Sequence, residues 1–122
     1  LLQILAGLLR PEGPGRHAAA SIASARAMMD DDPTTAWGLA QLAREAGLSR
    51  YQLVRQFAQA TGLTPHAYLV QRRLHHARRL MGAGTPLAEV AAASGFADQS
   101  HLTRLFARTF GTTPHAYVRV RG

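Results

Sequence analysis

Apolar residues recur along this chain every three or four positions, and no stretch alternates apolar with polar side chains, so each predicted element is a helix. The Leu-rich run 1–9 reads as a first helix, broken by Arg10-Pro11-Glu12-Gly13-Pro14-Gly15, which reads as a linker. His17–Met29 follows, with Ile22, Ala25 and Met29 on one stripe, and Asp30-Asp31-Asp32-Pro33 stops it. Three acids at a helix C-terminus oppose the macrodipole, so that end is expected to fray; they lack the ligand spacing of a calcium loop. Thr34 or Thr35 is expected to cap a helix from Ala36 to Ala46, with Leu39, Leu42, Ala43 and Ala46 on one face and Gly47 ending it. Ser49 caps Arg50–Thr61, which ends at Gly62. Thr64-Pro65 opens a long helix to about Met81, and Thr85-Pro86 repeats that start signal for Leu87–Ser94. Asp98 caps a helix that ends at Gly111, and Thr113-Pro114 opens a last short one. The predicted fold is all-α with about seven helices.

Two segments of this pattern are the same segment twice. Leu42-Ala43-Arg44-Glu45-Ala46-Gly47-Leu48 matches Val90-Ala91-Ala92-Ala93-Ser94-Gly95-Phe96 at an offset of 48. Leu53, Arg55, Phe57, Gly62, Pro65, His66, Ala67 and Tyr68 match Leu102, Arg104, Phe106, Gly111, Pro114, His115, Ala116 and Tyr117 at an offset of 49. The extra residue falls in or beside the turn, where insertion is tolerated. Each copy is a helix, a tight Gly-containing turn and a second helix, the plan of a helix-turn-helix. The predicted layout is a first unit over about 36–62, a joining helix over about 65–81 and a second unit over about 86–111. Two copies are too few for a solenoid.

Composition narrows the classes. A chain of 122 residues with 47% apolar and 17% charged residues is one globular domain, or two very small ones. The absence of cysteine excludes a disulfide scaffold, a thiolate zinc site and a cysteine nucleophile. No apolar run approaches the roughly 20 residues that span a bilayer, so no membrane partner is expected. No basic residue precedes the opening Leu run, so a signal peptide is not expected either. Residues 1–16 are taken as the tail of an upstream domain plus its linker, residues 17–122 as the functional domain, and the location as cytoplasmic.

Charge is unevenly distributed. Residues 1–45 carry four Arg and five acids, whereas residues 46–122 carry ten Arg against Glu89 and Asp98 alone. All fourteen basic side chains are Arg. A surplus of eight positive charges over the later segment suits a polyanion, most simply nucleic acid. A compositional bias explains Arg in place of Lys, but not the missing acids.

At 100° per residue, Gln56, Phe57 and Ala60 lie within about 60° of Leu53 and should face the core. Tyr51 and Arg55 then point outward, with Gln52 on the flank. In the second copy Leu102, Leu105, Phe106 and Thr109 point inward, Ser100 and Arg104 outward, and His101 sits on the flank. The outward residues occupy the helical half that a helix-turn-helix places in the major groove, where Arg bonds guanine O6 and N7 in a fork.

Residues 34–119 resemble the DNA-binding domain of the AraC/XylS family of transcription regulators. The stretch Gly95-Phe96-Ala97-Asp98-Gln99-Ser100-His101-Leu102-Thr103-Arg104-Leu105-Phe106, followed by Gly111-Thr112-Thr113-Pro114, carries most of the likeness. Arg73-Leu74-His75-His76-Ala77 adds the family's pattern of Arg, an apolar residue, two variable positions and Ala. The resemblance implies a seven-helix domain with two recognition helices entering adjacent major-groove segments. It also implies base contacts at Tyr51, Val54 and Arg55, and at Ser100, His101, Thr103 and Arg104; Gln52 joins them from the helical wheel. Backbone contacts are expected at Ser49, Arg50, Gln99, Arg108 and Arg119. The partner is then double-stranded DNA with an asymmetric bipartite site. An upstream effector or dimerisation domain is expected in the full-length protein, and RNA polymerase is a further candidate partner. The chain departs from the pattern in two places: Val118 separates Tyr117 from Arg119, and Val54 is apolar where a polar reader is common.

Other chemistry finds little support. The side chains of His75 and His76 diverge by about 100°, too far to chelate one metal well. His66 and His115 sit at matching places after Pro and suggest a repeated local role. Asp98, Ser100 and His101 fall in one turn without a third group to orient a base. No Gly-rich phosphate loop is present. Trp37 and Tyr68 read as core aromatics. No enzyme activity, metal or cofactor is expected. The competing function is a helical protein-interaction module whose Arg surface meets an acidic partner.

Overall fold

The helical periodicity is realised in a computed structural model that describes residues 16–121. Among these residues there are seven helices and no strand: α1 (Arg16–Asp31), α2 (Leu39–Ala46), α3 (Arg50–Thr61), α4 (Pro65–Gly82), α5 (Leu87–Ala93), α6 (Gln99–Phe110) and α7 (Pro114–Arg121). The expected helix 1–9 and the linker 10–15 lie outside the described residues.

Helix starts show where local chemistry held and where it was diverted. Ser49 caps α3 with a full capping box: its Oγ accepts from the Gln52 amide at 3.1 Å, and Gln52 Oε1 accepts from the Ser49 amide at 2.9 Å. Asp98 caps α6 by accepting from the His101 amide at 2.8 Å. Thr64 and Thr113 cap α4 and α7 through the Ala67 and Ala116 amides. The expected Thr34 or Thr35 cap does not form: both hydroxyls donate to the Asp32 carboxylate, and Gly38 holds the cap position. Helix α2 begins at Leu39 rather than Ala36, behind Gly38 with no side-chain cap. Thr85 likewise makes no cap; Pro86 holds that position before α5. The first helix continues through Asp31, two residues beyond Met29. Asp30 in its last turn pairs with Arg72 at 3.3 Å, and Asp32, just past its end, accepts from the two threonines.

Within the described residues the chain divides into two units, residues 16–29 with 37–68, and residues 30–36 with 69–121. The first buries Ile22, Ala25 and Met29 of α1, Leu42, Ala43 and Ala46 of α2, Leu53 and Phe57 of α3, and Tyr68. The Tyr68 ring meets Phe57 edge-on at 5.3 Å, and its hydroxyl accepts from Arg26 Nε at 3.1 Å. Helix α2 packs on α3. Leu39, expected inside, is 37% exposed, as befits the first residue of an uncapped helix. Trp37 is half-buried rather than fully in the core.

The second unit repeats the plan. Leu74, Ala77, Met81, Val90, Ala91, Phe96, Leu102 and Phe106 form one buried cluster. Phe106 meets Phe110 at 4.6 Å and Tyr117 at 5.6 Å, both edge-on. Fully burying a side chain such as Phe106 or its counterpart Phe57 contributes about 1.5–3 kcal/mol. Ala60 and Thr109, placed inward by the helical wheel, are exposed. Each lies in the last turn of a 12-residue helix.

Candidate nucleic-acid interface

Counted from the turn glycine to the next helix, the copies span 47–49 and 95–98, the one extra residue that the repeat offsets demand, and α5 ends one residue earlier, relative to its glycine, than α2 does. Gly47 and Gly95 both adopt left-handed backbone, with φ of 72° and 86°. An L side chain there pays a steric cost that glycine avoids. Each turn therefore delivers its second helix, α3 or α6, with the capped N-terminal half outward.

On α3 that half presents Arg50, Tyr51, Gln52 and Arg55, all exposed, with Tyr51 at 72%. The Arg55 guanidinium carbon lies 6.0 Å from the centre of the Tyr51 ring. Ser49, Tyr51, Gln52, Arg55 and Gln56 together line a surface concavity. Gln52 uses its carbonyl oxygen in the capping box, which leaves the side-chain amide hydrogens for another partner. Gln56 was expected inside; it is half-buried, and its Oε1 has no hydrogen-bond partner. An amide at a wheel position meant for the core is the signal that could have marked it. Val54 is half-buried.

On α6, Ser100, Arg104 and Arg108 are exposed. His101 is half-buried, its ring edge-on to Phe96 at 5.6 Å. Thr103, the counterpart of Val54, donates its hydroxyl back to the Gln99 carbonyl at 2.9 Å. It therefore offers a methyl group and an acceptor, close to what Val54 offers. Gln99 is half-buried and shares a second concavity with Thr85, Leu87, His115, Val118 and Arg119. Arg119 is exposed, so the residue inserted before it has not turned it into the core.

The arginines of α4 are employed differently. Arg72 pairs with Asp30, and the Arg78 guanidinium lies 4.7 Å over the Phe110 ring. Arg73 donates to two backbone carbonyls, and burial lowers its pKa from the usual arginine value. Arg79 is exposed beside His76. Burial, and then the neighbouring Arg78, Arg72 and Arg79, push the His75 pKa down; burial and Arg79 do the same for His76. His66 and His115 are both exposed. Among the described residues no group of three or more potential metal ligands occurs, and no helix is long and apolar enough to cross a membrane.

Comparison with known proteins supports the same region. Residues 42–119 match a helix-turn-helix domain family. The chain is 35% identical over 83 residues to a Streptomyces antibioticus protein designated an AraC-like transcription regulator, covering 67% of this chain and 27% of that protein. It is 36% identical over 73 residues to the helix-turn-helix-type transcriptional regulator MtrA of Neisseria gonorrhoeae, covering 58% of this chain and 24% of that protein. Among solved structures it is similar to the DNA-binding domain of the global transcriptional factor AdpA in complex with a target DNA. That match has a TM-score of 0.76 and 28% identity, and covers 82% of this chain and 91% of the AdpA domain. The chain spans about a quarter of the length of the curated relatives it matches.

Proposed function

Because the chain belongs to the AraC-type helix-turn-helix family, we propose that it binds double-stranded DNA sequence-specifically, as the DNA-binding module of a transcription regulator. It is a binding protein rather than an enzyme. The observation that carries this reading is the pair Arg55 and Arg104. Both are exposed, at equivalent places in the N-terminal halves of two helices that each follow a glycine turn. Each can reach a guanine O6/N7 edge in a fork. Tyr51, Gln52 and Val54 complete the first reader, Ser100, His101 and Thr103 the second. Val54 and the Thr103 methyl suit a thymine methyl. Ser49, Arg50, Gln99, Arg108 and Arg119 hold phosphates and set register without reading sequence. A regulator of this kind works in the cytoplasm, joined to an effector or dimerisation domain, and meets RNA polymerase at the promoter.

Selection from random-sequence duplexes followed by titration tests the reading. Arg104→Ala should lose about 1–3 kcal/mol on the selected site and relax preference at one base position. With about six phosphates neutralised, log K should fall against log salt with a slope near −5. Unchanged affinity and preference in Arg104→Ala would remove α6 from the interface. A slope near zero would favour the acidic protein partner.

A further inference from the structure

Gly47 and Gly95 hold the same place in the two repeats but differ in what surrounds them. A Cβ built on Gly47 meets nothing within 4 Å, whereas one built on Gly95 would lie 2.9 Å from Nε of Arg73. The Arg73 side chain therefore lies flat against the turn that leads into α6. It is held there from the other side: Nε donates to the Pro33 carbonyl and Nη2 to the Thr35 carbonyl, both at 2.8 Å. Arg72 beside it pairs with Asp30 at the start of the same segment. A planar guanidinium with two bonds at fixed angles cannot swing aside as a lysine ammonium can. Within the same turn, Phe96 abuts the His101 ring at 5.6 Å, and Asp98 accepts from the His101 amide. Contacts thus run from Arg73 through Gly95 and Phe96 to a base-facing side chain of α6.

We propose that Arg73 is a positioning residue for DNA reading by α6: pinned between the 33–35 carbonyls and Gly95, it fixes the turn and so the presentation of His101 and Arg104. The first reader has no such clamp at Gly47. This inference rests on the DNA-reading role proposed above.

The test uses the 122-residue chain and a random-sequence duplex library, with each variant assayed below its own melting temperature. Base positions whose preference Arg104→Ala abolishes define the α6 half of the site; those lost in Arg55→Ala define the α3 half. Arg73→Lys, which keeps the charge but not the fork, should bring discrimination at the α6 positions down about tenfold, towards parity. The α3 positions should stay within about twofold of the parent. Gly95→Ala, which drives a methyl into Arg73, should reproduce the pattern. Leu80→Ala thins the packing around the second core and leaves the Arg73 bonds in place, so it should keep both halves. The proposal is overturned by an equal loss at both halves, by the same α6 loss in Leu80→Ala, by no loss in Arg73→Lys, or by an Arg73→Lys chain that does not fold. A parent chain that selects no sequence at all would instead refute the DNA-reading role, and the positioning role with it.

Discussion

Ser94 occupies the place that Ala46 holds in the first repeat, and the exchange leaves a polar atom stranded. Its residue is fully buried, and its hydroxyl has no hydrogen-bond partner. An unsatisfied buried hydroxyl costs free energy that an apolar group of similar size does not. Ser94→Ala should therefore raise stability by about 1 kcal/mol, visible as a higher denaturation midpoint at unchanged m-value. A lower midpoint would mean that the hydroxyl is satisfied after all. Arg78 makes a related point: a cation over the Phe110 ring contributes to packing as well as to charge. Arg73 was legible only as part of a family pattern; its two carbonyl partners lie 40 and 38 residues away in sequence.

At the scale of the element, the second helices of the two repeats, α3 and α6, are started differently. Helix α3 has a reciprocal capping box, whereas α6 depends on the Asp98 carboxylate accepting from the His101 amide. A carboxylate at that end also meets the positive pole of the helix dipole. Asp98→Ala should cost about 0.5–2 kcal/mol in a thermal or denaturant melt, and Asp98→Asn should recover much of it. An Ala variant as stable as the parent would mean that solvent satisfies the α6 amides equally well. The caps at Ser49, Thr64, Asp98 and Thr113 were legible because they lie within three residues of their amide partners. Thr34 and Thr35 misled because both hydroxyls donate to Asp32, just upstream, while the helix starts only at Leu39, with Gly38 rather than either threonine in the cap position.

Over the whole molecule, fourteen arginines face seven acids, and the structure divides those arginines by task. Arg50, Arg55, Arg104, Arg108 and Arg119 stay exposed, while Arg72, Arg73 and Arg78 are engaged within the fold. That division also governs pH dependence. The pKa values of His75 and His76 are held below the ordinary 6.5 by burial and by neighbouring arginines. Near pH 6 the unfolded chain then binds more protons than the folded one, so stability rises with pH in that range. It is fully present above about pH 6.5 and lost progressively as pH falls towards the lowered folded values. Melting temperature should drop on acidification from pH 7.5 to about 5, and the drop should shrink in His75→Gln/His76→Gln. The same slope in the double variant would place the titration elsewhere.

Sequence alone determined the helical class, the duplicated helix-turn-helix and the split of α3 and α6 into buried and outward faces. Those features depend on interactions spanning three or four residues, or on a repeat read directly from the chain. Tertiary structure decided the rest. It exposed Ala60 and Thr109, in the last turns of α3 and α6. It drew Gln56 to the rim of the α3 concavity and half-buried His101 against Phe96. It also set Arg73 between Thr35 and Gly95, each far from it in the chain and brought to it only by the packing of α4 against its neighbours. Helical periodicity records which side of a helix is apolar, but not how far the adjacent element extends or which distant carbonyl will take up a guanidinium. Those depend on packing between segments far apart in sequence.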